Sequence, residues 1–426
     1  MTGGIVAPAW RTGKRLPPDL LATPGLTTVL EALGSGENAF IVGGAIRNSL
    51  LDRPVGDIDI ATPLAPEEVV ERLKTAGLKS VPTGIEHGTV TAVAAGTGYE
   101  VTAFRADIET DGRRATVDFG RDMAADAARR DFTVNALYAD ASGTVIDPLG
   151  GMADLEAGRL RFIGDAGARI REDYLRILRF FRFHAWYADP AGGIDAEGLA
   201  ACAAEAEGLE GLARERVGHE FRRLLAAPDP APAVAAMETT GILARCLPGA
   251  AAAALAPLLH LEAAAGRGAD WRARLSAILP SAAGGEDPVA TATEALRLSR
   301  NERRQLGAIA AARAALAAGE APGACAYRHG AEASWTALLV EEATAGWQTA
   351  PGILARDPSA IATEIAEGAA ARLPLRAADL AAAGIAPGPA IGQALARADA
   401  AFVASAFTLD KQALLSHVLN DIGHKD

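Results

Sequence analysis

Residues 56–62 read GDIDIAT, with Asp57 and Asp59 on either side of Ile58. Side chains alternate across a strand, so both carboxylates share one face while Ile58 and Ile60 share the other. Asp is depleted in strands, and like charges side by side repel, so a strand built this way needs compensation. A divalent cation supplies it: Mg²⁺ prefers carboxylate oxygens and is typically held by one or two of them together with substrate phosphates. A polar edge or turn that happens to carry two aspartates is the alternative reading of these residues alone.

The upstream residues, IVGGAIRNSLLDRPVGDID at 41–59, place Gly43 and Gly44 at a strand-to-helix turn with Arg47 one turn into the helix. Consecutive glycines let a backbone approach phosphate oxygens, the amides at a helix start favour anions, and Arg47 adds fixed charge. Together the turn and the aspartates describe a triphosphate site beside a metal site. Taken alone, the glycines could equally serve chain geometry.

Short β-like runs continue through the first 150 residues: AFIVGG at 39–44, DIDIA at 57–61, TVTAVAA at 89–95 and YEVTAF at 99–104, with a helical pattern, IRNSLL, at 46–51. From about 153 the apolar spacing becomes helical, as in EDYLRILRFFRFHAWYA at 172–188 and RERVGHEFRRLL at 214–225. APDPAP at 227–232 and SAAGGEDP at 281–288 read as joints. Ser299 stands three residues before Glu302, a capping-box spacing. The expected architecture is α+β: a mixed-sheet head over 25–152, then an all-helical remainder divided into 153–245 and 246–426.

The 426-residue chain is long enough for several domains. It has no apolar run of the roughly 18–20 residues that a spanning helix needs, and its N-terminal stretch has no hydrophobic signal core, so the expectation is a cytoplasmic protein with no membrane partner. Cys202, Cys246 and Cys325 are too scattered for a disulfide framework or a C-x-x-C zinc site. The formal charge of −12 disfavours a nucleic-acid partner on average, yet Arg159, Arg161, Arg169, Arg171, Arg176, Arg179 and Arg182 face only Asp165, Glu172 and Asp173 between 159 and 182. A local basic surface is therefore available.

The joint pattern G-G-x-x-R-(D/N) followed by D-x-D resembles the nucleotidyltransferase motif of the polymerase β superfamily. ARRDFTVNALYAD at 128–140, DPLGGMADLEAGRLRFIGD at 147–165 and REDYLRILRFFRF at 171–183 narrow the resemblance to class II tRNA nucleotidyltransferases and bacterial poly(A) polymerases. The resemblance covers about residues 38–225. It implies a polymerase β-like catalytic head, a helical neck for base selection and RNA binding, and a helical body and tail for tRNA. It implies addition of C, C and A to tRNA 3′ ends from CTP and ATP, with tRNA as macromolecular partner and no obligate protein partner.

The resemblance also assigns residues. Asp57 and Asp59 would hold two Mg²⁺ ions, and Glu100 would supply a third carboxylate, against the plain alternative of an exposed strand glutamate. Gly43, Gly44 and Arg47 would meet the triphosphate, while Arg130, Asp131 and Asn135 would contact phosphate and ribose. Four apart on a helix, Asp131 and Asn135 would share a face; a local helix cap is compatible with that role. Asp173 and Arg176, three apart on an expected helix, would form a protein template for the base, the alternative being a surface ion pair. Arg179 and Arg182, about 60° further round per step of three, would reach phosphates or pair with acids of the head. Arg214, Arg216, Arg222 and Arg223 would form a second basic cluster for the RNA backbone or else a solvated face.

Asn48 stands where the motif more often has Asp, with little expected consequence. TGIEHGTVTAV at 83–93 resembles the tRNA enzymes more than the poly(A) polymerases, and RADIETDGRRATVDF at 105–119 resembles the flexible loop that full CCA-adding enzymes use to switch to ATP. The first favours CCA addition over poly(A) tailing, and the second favours complete CCA addition over addition of CC or A only. An inactive RNA-binding relative is disfavoured by the intact Asp57 and Asp59. His260, His329, His417 and His424 lack neighbouring aspartates, so no metal-dependent phosphohydrolase domain is expected.

Overall fold

The computed structural model describes residues 5–85, 88–107, 117–280, 287–345 and 357–423. The chain forms two compact units, residues 1–209 and 210–426.

The first unit is built on an eight-stranded sheet of β1 (Arg11–Arg15), β2 (Phe40–Val42), β3 (Asp59–Thr62), β4 (Lys79–Gly84), β5 (Thr89–Ala94), β6 (Thr97–Ala103), β9 (Tyr138–Ala139) and β10 (Thr144–Ile146), in the order β1-β10-β9-β2-β3-β6-β5-β4. Between β6 and β9, β7 (Arg105–Asp107) and β8 (Val117–Phe119) form a separate antiparallel pair. Within the large sheet β3 and β6 run parallel and the other pairs antiparallel. β1, β4, β9 and β10 are strands of this sheet that the apolar pattern did not reveal: β9 and β10 have only two and three residues, and β1, RTGKR, is almost wholly exposed, so it has no hydrophobic period to read.

The sheet's inner positions are apolar: Phe40, Ile41, Ile60, Val90, Ala92, Tyr99 and Val101 are all at most 1% exposed. Among the first helices, α1 (Pro18–Leu21) and α2 (Leu26–Leu33) precede β2, α3 (Gly44–Leu50) joins β2 to β3, and α4 (Pro66–Thr75) follows β3. α2 buries Leu26, Val29, Leu30 and Leu33, a 3.6-residue stripe, and packs with α4 beside β5. Then come α5 (Met123–Ala128), α6 (Gly151–Glu156), α7 (Ala166–Glu172), α8 (Leu175–Tyr187) and α9 (Ala196–Ala204).

The second unit is helical throughout its described residues, from α10 (Arg214–Leu225) to a last helix, Lys411–Gly423. Ser299 accepts from Glu302 N while Glu302 accepts from Ser299 N, so the expected capping box begins the helix Arg300–Ala317. Arg214, Arg216 and Arg223 lie exposed on α10, whereas Arg222 is half-buried, 3.7 Å from Glu302 and over the Trp271 ring. The three cysteines are buried free thiols. No helix among the described residues is long and apolar enough to cross a membrane.

Candidate active site

The register of the sheet sets out the acidic centre. Val42, the last residue of β2, lies opposite Asp59 on one side and Tyr138 on the other, and Asp59 in turn lies opposite Glu100 on the parallel strand β6. Asp57 and Asp59 are exposed and Ile58 and Ile60 buried, so the expected alternation holds, although the strand itself begins only at Asp59. The protein around Asp59 partly strips its carboxyl of water, and the charges of Glu100 and Asp57 add to this, so its pKa is raised with only Arg130 opposing.

Among the described residues no cationic side chain pairs with Asp57, Asp59 or Glu100, and no three ligating side chains stand close enough to form a ready-made metal cage. Carboxylates that have no ion-pair partner and form no full cage fit Mg²⁺, which keeps few protein ligands and completes its shell with water and phosphate oxygens. The residues that fit are Asp57 and Asp59, with Glu100 beside them.

The turn after β2 borders this centre. Gly43 has φ 70° and ψ −120°, a backbone that side chains with a Cβ avoid, and its N–H donates to Leu137 O at 2.9 Å. A Cβ at Gly43 would stand 3.7 Å from Arg130 Nη1, and one at Gly44 would stand 3.6 Å from Arg47 Nη2. Two guanidiniums thus flank the open turn.

Neither guanidinium is loose. Arg47 is only 6% exposed. It donates to Asn135 Oδ1 from Nη1, to Tyr187 Oη at 2.9 Å from Nη2, and to Asn48 Oδ1 from Nε and Nη2 at 3.2 and 2.9 Å. Burial lowers its pKa against the partly compensating pull of Tyr187. The sequence reading gave Arg47 a direct phosphate contact; the structure commits its donors to internal acceptors, because the helix turns it toward α8 rather than outward. Asn48 explains itself here: its carbonyl accepts from Arg47 while its amide donates to Pro54 O at 2.9 Å, a second bond an ionised Asp could not make.

Arg130 lies between Asp126, 3.0 Å from Nη2, and Tyr138 Oη, 3.2 Å from Nε. Burial would raise the Asp126 pKa, but Arg130 and Arg129 bring it below the usual carboxylate range. The expected helix at Asp131–Asn135 is instead a 3₁₀ turn at Thr133–Asn135, yet the pair still meets, Asn135 Nδ2 donating to Asp131 Oδ1 at 2.9 Å. Asp131 Oδ2 accepts from Arg179 Nε at 2.7 Å and Nη2 at 2.5 Å. Of the two possibilities for Arg179, the structure shows pairing with an acid of the head.

A network that sequence reasoning missed braces this motif. Asp154, fully buried, accepts from Thr133 Oγ1 at 2.7 Å, Arg159 Nε at 2.7 Å and Arg161 Nε at 3.1 Å. Gly151 is required beside it, since a Cβ there would lie 2.2 Å from Thr133 O. The signal available was an acid followed by two arginines in DLEAGRLR, a pattern that does not by itself name a partner.

Asp173 and Arg176 depart furthest from expectation. The helix breaks at Asp173, which is extended (φ −155°, ψ 104°) and whose Oδ1 accepts from Leu175 N at 3.1 Å at the start of α8. Arg176 pairs with Glu172 Oε2 at 2.6 Å and donates to Arg169 O at 2.8 Å and Arg129 O at 3.2 Å. The two residues stand three apart across a helix break, not on one helical face. Arg182 is 3% exposed and lies over the Phe183 ring. Phe132 joins this helix to the motif, its ring 4.9 Å from Phe162 and 5.2 Å from Phe183. His87, and 108–116 of the segment likened to a switching loop, lie outside the described residues.

Known proteins resemble this chain in sequence and in fold. Residues 39–161 match the family described as the poly A polymerase head domain, and 193–254 match a probable RNA and SrmB-binding site of polymerase A. The chain is 41% identical over 207 residues to mitochondrial CCA tRNA nucleotidyltransferase 1 of Mus musculus, covering 48% of each chain. It is 44% identical over 218 residues to a CCA-adding enzyme of Streptococcus pyogenes, covering 51% of this chain and 52% of that one. The match thus spans about half the length of these relatives. The crystal structure of the Bacillus stearothermophilus CCA-adding enzyme in complex with CTP superposes with a TM-score of 0.70 at 27% identity, over 94% of this chain and 97% of that one.

Proposed function

We propose that this chain, whose residues 39–161 and 193–254 match the poly A polymerase head domain and a probable RNA-binding site of polymerase A, is a tRNA nucleotidyltransferase that adds C, C and A in turn to the 3′ end of tRNA from CTP and ATP, releasing pyrophosphate. The observation that carries the reading is the row formed by the Gly43–Gly44 turn, Asp59 and Glu100, with Arg47 and Arg130 beside the turn. The proposed division is a head over 25–152, a neck over 153–245, and a body and tail over 246–426, with the cytoplasm as compartment.

In the reaction the tRNA 3′-oxygen attacks the α-phosphorus of the nucleotide, a P–O bond forms, and the bond to pyrophosphate breaks. Asp57 and Asp59 would hold two Mg²⁺ ions, which supply Lewis acidity at the attacking oxygen and the leaving phosphates. Glu100 keeps the acidic field beside them. Arg47 and Arg130, fixed by Tyr187, Asn135, Asp126 and Tyr138, set the positive field at the turn without needing to reorganise. Asn135, Asp131 and Arg179 form the wall against which the ribose and phosphates rest.

Asp173 and Arg176 select the base. Cytosine and adenine each present an amino donor beside a ring-nitrogen acceptor, which a carboxylate and a guanidinium match; uracil and guanine present the reverse order. The mismatch costs on the order of a few kcal/mol once water is excluded. Arg176 reaches the base by giving up Glu172 and the carbonyl oxygens of Arg169 and Arg129.

The test is incorporation of labelled CMP and AMP into a tRNA lacking its last three nucleotides, with Mg²⁺ present. Incorporation that disappears in Asp57→Ala and Asp59→Ala is the expected result; incorporation that survives either change overturns the assignment of the acidic centre.

A further inference from the structure

Tyr187, the last residue of α8, carries two guanidiniums: Arg47 lies 3.9 Å and Arg53 5.1 Å from its ring centre. The donors of Arg47 are taken by Asn48, Asn135 and Tyr187 itself. Those of Arg53 are not: among the described residues its half-buried side chain has no ion pair and no hydrogen bond.

The backbone around Arg53 is nevertheless held firmly. Arg53 N donates to Asn48 O at 2.8 Å, Asn48 Nδ2 donates to Pro54 O at 2.9 Å, and the preceding residue, Asp52, sits at φ 51°. A braced turn therefore presents a guanidinium whose charge rests on an aromatic face rather than on a carboxylate, with its fork of donors available. Arg47, on the same ring, feels the positive charge of Arg179 and the opposing charge of Asp131. The same turn leads within four residues to Asp57.

We propose that Arg53, seated on Tyr187, is a phosphate-binding group at the edge of the transfer site. A guanidinium fork matches two phosphate oxygens, and seating it on a ring leaves that fork intact where an ion pair would consume it. The phosphate belongs either to the incoming nucleoside triphosphate or to the backbone of the RNA strand being extended. The inference rests on the nucleotidyl-transfer reading above, and its test separates the two.

The experiment compares the unaltered chain with Arg53→Met and Arg53→Lys, after thermal unfolding shows that both variants fold. It measures CTP binding with Mg²⁺ by calorimetry and binding of the trimmed tRNA by filter retention across a salt series. If the phosphate is the nucleotide's, Arg53→Met weakens CTP binding about tenfold or more, the tRNA salt slope stays unchanged, and Arg53→Lys recovers part of the loss. If it is the RNA's, CTP binding is kept and the salt slope falls by roughly 0.7 to 1. Arg53→Met binding both ligands like the unaltered chain, with the same slope, overturns the proposal. An unaltered chain that binds CTP and tRNA without extending the RNA would overturn the transfer reading and leave the Arg53 result standing.

Discussion

Arg179 closes on Asp131 from 48 positions later in the chain, its Nε and Nη2 both on Oδ2 at 2.7 and 2.5 Å. This pair fastens α8 to the motif that follows α5, because Asp131 also accepts from Asn135 and from Phe132 N. Burial would raise the Asp131 pKa, but the Arg179 charge and the hydrogen bonds bring it below its ordinary value. A depressed carboxyl contributes stability that is present above its unfolded pKa, about 3.9, and is lost as pH falls through the folded one. Asp131→Asn should therefore cost about 1–3 kcal/mol at pH 7, with the gap closing below about pH 4. Urea unfolding at several pH values measures this, and a gap that does not change with pH would contradict it.

Asp59 has the opposite sign. Its pKa is raised by partial burial and by Glu100 and Asp57, so its favourable contribution is present below the unfolded pKa and is lost as pH rises through the folded one. Asp59→Asn, in EDTA at neutral pH, should be at least as stable as the unaltered chain, while incorporation with Mg²⁺ falls by a factor on the order of 10² or more. Thermal unfolding and single-turnover assays read the two effects. A variant that loses stability and keeps activity would sink the metal-site assignment.

Gly43 is required by its backbone and not by crowding, since a Cβ there meets Asn135 O only at 3.5 Å. Gly43→Ala should cost about 1–3 kcal/mol and raise the KM for CTP, because relaxation of the turn moves it relative to Arg130. Unchanged stability and unchanged KM together would show that φ 70° is not needed there.

Arg176→Ala should raise misincorporation of UMP relative to CMP by about tenfold or more, and should cost about 1–3 kcal/mol of stability because Arg169 O and Arg129 O lose their part-buried donor. Competition between CTP and UTP on one tRNA gives the ratio directly, and an unaltered ratio removes Arg176 from base selection.

What was legible in the sequence was local. The alternation of Asp57, Ile58, Asp59 and Ile60 survives in the burial pattern, and the glycine pair does stand between a strand and a helix. Positions 131 and 135 meet although the helical turn covers only Thr133–Asn135 and Phe132 is extended; the contact runs between their side chains. The break at Asp173 was hidden because REDYLRILRFF keeps a helical apolar period across it; the carboxylate that caps Leu175 N starts a new helix there. Partners far apart in sequence were equally invisible: nothing near Arg47 points to Tyr187, 140 positions later. The Asp126–Arg130 pair, four apart, was readable from spacing but was masked by the more conspicuous motif beside it.

The most direct test of the central claim is sequencing of the RNA product after the chain is incubated with Mg²⁺, all four nucleoside triphosphates and a tRNA lacking its last three nucleotides. The account expects 3′ ends that stop at CCA, with no U or G inserted. A long A tail on that tRNA or on unrelated RNA would contradict it in favour of poly(A) polymerase activity, and ends that stop at CC would show a partial enzyme.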